Sequence, residues 1–161
     1  MPYLFRCFES GSCSHEIDLA SNFLETEPEN LSEEIRENIY RYNRAILYYK
    51  TGALKQAMHE LATVSFTDIF NNLTYRTLLL RIYYQLGELQ ALDYLLDSFM
   101  AYLYRQRKIG YHKTLYLNLI KIMRRMMRSD LNSPSVRQQL RDRIVKLERV
   151  AEKDWLLTQL E

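Results

Sequence analysis

The sequence predicts an all-α protein, and three observations carry that expectation. Only four glycines and three prolines punctuate 161 residues, too few turn formers for a protein of many short strands. Leu, Glu, Arg, Gln and Lys, which favour helix, are abundant. Two segments 35 residues apart also carry the same residues around a glycine. At 47% hydrophobic and 26% charged, the chain has enough apolar side chains for a single domain with a core.

The repeated segments are NRAILYYKTGALKQAMHEL, from Asn43 to Leu61, and LLLRIYYQLGELQALDYLL, from Leu78 to Leu96. Tyr48, Tyr49, Gly52, Leu54 and Leu61 recur as Tyr83, Tyr84, Gly87, Leu89 and Leu96, and Leu47 is matched in kind by Ile82. Helical pattern lies on both sides of each glycine. Glycine tolerates the positive φ that ends a helix, so each segment reads as two helices joined by a tight turn. Connections that short place neighbouring helices antiparallel.

The other elements follow in order. Ser32 is an N-cap candidate, and Glu33 and Glu34 suit the positive end of a helix running from about Glu33 to Thr51. A later helix spans Leu89 to about Lys108 and stops at Gly110, and another spans Tyr111 to Arg128. Ser133 as N-cap and Pro134 in the first turn restart the chain after SDLNSPS. Val136, Leu140, Ile144, Leu147, Ala151 and Trp155 then fall at spacings of three and four. That is one apolar stripe on a long terminal helix, which would cover the end of the stack with its polar face outward.

Ala45 lies seven residues before the first glycine, Tyr48 four before, Ala57 five after and Leu61 nine after. With the 35-residue period, this pattern resembles the tetratricopeptide repeat. The resemblance implies a right-handed α-superhelix of antiparallel helical hairpins, closed here by the long C-terminal helix. The second repeat departs from the pattern, with Leu80 and Leu92 where the family places small residues, and no proline closes either repeat. Ala20 and Leu24 repeat the A-x-x-x-L spacing 37 residues before Ala57, as in the second helix of an earlier, partial repeat whose first helix is PYLFRCFES. The single domain therefore divides into a partial repeat (1–31), two repeats (33–66 and 70–108) and a C-terminal helical pair (111–161). The segments RYNRAILYYKTG, RTLLLRIYYQLGELQALDYLLDSFMAYLYR and AEKDWLLTQL also look like the C-terminal region of uncharacterised bacterial helical-repeat proteins, which implies no known activity. That likeness suggests that Met1 starts a shortened version.

Enzyme chemistry finds no support in the sequence. His15, His59 and His112 are scattered, and no G-x-S-x-G, phosphate-binding glycine loop or paired-carboxylate signature occurs. Cys7, Cys13 and His15 form a C-x5-C-x-H arrangement that matches no common zinc spacing and lacks a fourth ligand, so the cysteines read as free thiols. The expectation is a non-enzyme with no metal and no cofactor. No apolar run reaches the ~18 residues that would span a bilayer, and the start lacks the order of a signal peptide. Both place the protein in the cytoplasm and off the membrane.

The expected role is a non-catalytic scaffold for a peptide or partner protein. In the tetratricopeptide family the first helix of each repeat lines a concave groove. The corresponding positions lie ten, six, three and two residues before the turn glycine. The resemblance carries these onto Tyr42, Ile46, Tyr49 and Lys50, and onto Thr77, Arg81, Tyr84 and Gln85. Tyrosine beside Lys and Arg suits peptide capture; the competing reading makes these tyrosines packing residues.

Charge supplies the runner-up. Up to Met100 there are 8 Lys plus Arg against 14 Asp plus Glu, and from Ala101 onward 14 against 6. Lys121, Arg124, Arg125 and Arg128 recur at i, i+3, i+4 and i+7 as one basic patch. With YLYRQRKIGYHK nearby, this half could hold a nucleic-acid backbone and stack bases. Duller readings are helix-dipole complementarity, pairing with Glu148 or Glu152, or head-to-tail homo-oligomers joined through acidic and basic halves. Met123, Met126 and Met127 read as core beside Leu115, Leu119 and Ile122.

Overall fold

The computed structural model describes residues 32–161. The partial repeat at 1–31 and the Cys7, Cys13 and His15 set lie outside those residues. Among the described residues there are seven helices and no strand: α1 (Glu33–Lys50), α2 (Leu54–Leu61), α3 (Ile69–Leu86), α4 (Leu89–Arg105), α5 (His112–Arg128), α6 (Pro134–Lys146) and α7 (Lys153–Thr158). The chain divides between Leu86 and Gly87 into two compact units. No described helix is long and apolar enough to cross a membrane.

In the N-terminal unit, α1 begins after Ser32, whose carbonyl accepts from the amides of Ile35 and Arg36. Glu33 and Glu34 occupy its first turn. It ends in a Schellman motif: Gly52, at φ +78°, donates to the Tyr49 carbonyl (3.2 Å), and Ala53 donates to that of Tyr48 (2.8 Å). Those bonds satisfy carbonyls that the helix end would orphan. The chain then reverses into α2, so that Glu60 reaches Arg44, the two lying equally far on either side of Gly52. Ala45, Ala57 and Leu61 are fully buried.

The link from α2 to α3 is held by side chains. Asn38 Oδ1 accepts from the Ser65 amide (3.1 Å), Asn72 Nδ2 donates to the Phe66 carbonyl (2.9 Å), and Arg76 donates to Asn72 (2.7 Å). Phe66 stands edge-on to Tyr42, with ring centroids 5.5 Å apart. Along α3, every residue from Thr77 to Ile82 is buried.

The C-terminal unit opens with Gly87 at φ +71°. Its successor Glu88 has φ −77° and ψ 62°, close to the −80° and 59° of Ala53. In both turns the glycine carbonyl accepts from the residue two ahead, Leu54 (2.9 Å) and Leu89 (2.8 Å). Helix α4 packs on α5 through Phe99 and Tyr116, 5.6 Å between ring centroids. It ends at Arg105, slightly earlier than the sequence suggests, and Gly110 turns the chain at φ +55°. Met123 and Met126 are buried on α5, as are Leu119 and Ile122.

The long C-terminal helix does not form. Helix α6 stops at Lys146, the backbone is extended at Leu147, and Glu152 adopts a left-handed φ of +60° before α7. Four hydrogen bonds from three residues replace the helical bonds. Ala151 gives its amide to the Leu115 carbonyl (3.2 Å), and Asn118 Nδ2 donates to the Arg149 carbonyl (2.7 Å). Lys153 Nζ donates to the Val145 and Leu147 carbonyls (2.8 and 2.9 Å). The break also changes the apolar face. Leu140 and Ile144 stay buried, but Val150, Leu156 and Leu160 take the inward places that an unbroken helix would assign to Leu147, Ala151 and Trp155.

Candidate interaction surface

The eight groove positions belong to α1 and α3, both in the N-terminal unit. They separate by burial. Tyr42 and Thr77 are 2% and 3% exposed, and Ile46 and Arg81 are buried as well. Tyr49 and Tyr84 are half-buried, while Lys50 and Gln85 are exposed. The first four are a correction to the sequence expectation: they are packing residues, not the lining of an open groove. Tyr42 is held inward by Phe66, and the Thr77 hydroxyl is satisfied within its own helix by the Leu73 carbonyl (2.8 Å).

Arg81 explains the arrangement. Its guanidinium is drawn below its usual range by burial, and a side-chain hydrogen bond to Tyr49 and the nearby Tyr42 oppose that effect. A buried cation needs such partners, since desolvation alone costs several kcal/mol, roughly. Attraction between the buried Arg81 and Tyr49 therefore links α3 to α1. At the C-terminal ends of both helices, Tyr49, Lys50, Tyr84 and Gln85 are the groove positions that retain accessible surface. Burial raises the Tyr84 phenol above its ordinary value, as expected for a ring partly withdrawn from water.

A second polar cluster on α1 was not singled out from sequence. The Arg44 guanidinium lies 5.5 Å from the Tyr40 ring centroid and 5.8 Å from that of Tyr48. It also donates to the Tyr48 hydroxyl (3.2 Å) and pairs with Glu60 (3.2 Å). Spacing at i, i+4 and i+8 was the available signal.

The basic patch of α5 is only partly as expected. Lys121, Arg125 and Arg128 are exposed. Arg124 instead forms an ion pair with Asp97 of α4, so the acid it meets is neither Glu148 nor Glu152. Among the described residues, no group of three His, Cys, Asp or Glu is placed to hold a metal ion.

Comparison with protein-family models, curated proteins and solved structures finds no match to this chain.

Proposed function

We propose that the chain is a non-catalytic, cytoplasmic interaction scaffold that binds a peptide or partner protein at the C-terminal ends of α1 and α3. One observation carries this reading: Tyr49 with Lys50 and Tyr84 with Gln85 occupy equivalent places before their turn glycines and keep accessible surface there. Half-buried tyrosines are low-entropy contact residues, and the exposed Lys50 and Gln85 offer charge and hydrogen bonds at the rim. The superhelical, tetratricopeptide-like arrangement is part of the same proposal.

Affinity capture with Tyr84→Ala, Lys50→Glu and Gln85→Ala tests it. A partner retained by the native chain should be lost by at least two of the three, with the thermal transition unchanged. Retention by all three removes the reading. Tyr49→Ala is less informative, because it also removes a neighbour that favours the charge of the buried Arg81.

A second reading, nucleic-acid binding by the C-terminal unit, is favoured by the exposed Lys121, Arg125 and Arg128 on one helix.

A further inference from the structure

We infer that the corner between α4 and α5 is a stacking platform for single-stranded nucleic acid. The inference rests on the second reading above and gives it a surface. From Ser98 to Ser129 the chain carries eight Lys or Arg and not one Asp or Glu. Within that acid-free stretch the corner exposes two flat rings, Tyr104 at 63% and Tyr111 at 62%. Lys113 Nζ stands 4.9 Å from the Tyr104 ring centroid, and Tyr111 stacks on His112 at 4.1 Å and 30°. Arg107 and Lys108 are exposed on the connecting loop.

The occupant follows from what the corner withholds. Its one aliphatic residue, Ile109, is 3% exposed, so the accessible surface offers rings and cations rather than an apolar anchor. Protein interfaces deplete lysine at their cores, whereas single-strand sites pair aromatic faces with a cationic track. Lys113 already lies over one face of the Tyr104 ring, so a base stacks on the other face, with that ammonium near enough to meet a neighbouring phosphate.

The track continues along α5. At 100° per residue, Lys113, Lys121 and Arg128 fall within roughly 80° of arc and span about 22 Å of helix. Arg124 shares that face but is neutralised by Asp97.

The test is fluorescence anisotropy of the full chain with a labelled oligothymidylate, with heparin and phosphatidylserine vesicles as competitors. Binding should weaken with salt at a log–log slope of about −2 or steeper, corresponding to three or more phosphates neutralised. Tyr104→Leu and Tyr111→Leu should each weaken binding about fivefold or more, while Tyr→Phe at either position retains it. Arg107→Glu with Lys108→Glu should flatten the slope by about 1.4. If the leucine variants bind like the native chain, the platform is wrong although the basic-unit reading survives. Equal capture of heparin or vesicles, insensitive to the tyrosines, also overturns the platform in favour of a general polyanion surface. A flat titration at low salt removes both.

Discussion

Glu60 of α2 and Arg44 of α1 face each other at 3.2 Å, and the burden of burial falls on the acid: its side chain is 8% exposed against 41% for the arginine. Arg41 lies 3.9 Å from the same carboxylate and is itself paired with Glu37 at 2.6 Å. The asymmetry has an energetic consequence. Deleting the acid leaves two cations that water can reach, whereas deleting both cations leaves a carboxylate stranded. Glu60→Gln, which keeps a hydrogen-bond acceptor, should cost about 1 kcal/mol. Arg41→Met with Arg44→Met should lower the melting temperature further than Glu60→Gln does. The reverse order in thermal denaturation would mean that the carboxylate is solvated in the folded chain.

The turn glycines provide a second measurement. An added Cβ meets nothing within 4 Å at Gly52 or Gly87, so any cost of Ala is conformational rather than steric crowding. With φ of +78° and +71°, Gly52→Ala and Gly87→Ala should each destabilise by about 1–2 kcal/mol, and Asn should recover part of that loss. Denaturant midpoints that do not move for Ala would show that the backbone escapes the left-handed region.

What could be read from sequence and what could not divides by the range of the cause. The bends at Gly52 and Gly87, and the restart at Ser133–Pro134, depend on a few adjacent residues, and the chain announces them. The break after Lys146 does not, because the apolar spacing from Val136 to Trp155 is fully compatible with helix. The break coincides with the amide of Ala151 bonding Leu115 and the Lys153 amine bonding the Val145 and Leu147 carbonyls. Four of the eight groove positions turn inward for a similar reason. Positions counted back from a glycine fix the helix face, but whether Tyr42 sees water is decided by Phe66, which arrives from a loop. Asp97 and Arg124 are 27 residues apart, beyond any pattern on α5 alone.

Alkaline pH should reveal the phenols that are withdrawn wholly or partly from water. Burial is the leading cause that raises Tyr75, Tyr84 and Tyr116 above the ordinary value of 10.0. Each is kept neutral in the folded chain but ionises at the ordinary value once unfolded. Their contribution is therefore fully present below about pH 10 and is lost as pH rises through the raised folded values. An absorbance titration should resolve a late-ionising class of tyrosines, with unfolding free energy falling over the same pH range. A single titration at the ordinary value, with no loss of stability, would contradict the withdrawal of these rings from water.

Asp97 gives the most direct check on the charge of the C-terminal unit. Its carboxylate is 63% exposed and Arg124 25% exposed, and pairs this accessible to water contribute about 0–1 kcal/mol. Asp97→Asn should leave stability nearly unchanged. It also returns Arg124 to the face shared by Lys113, Lys121 and Arg128, adding one cation to the track proposed for single strands. Oligothymidylate binding should then tighten about two- to fivefold at low salt, and the log–log salt slope should steepen by about 0.7. The sign matters more than the size, because removing an acid from a structural pair with no ligand role predicts no gain at all. If the Asn variant binds more weakly while its thermal transition is unaltered, the strand does not run along this face of α5.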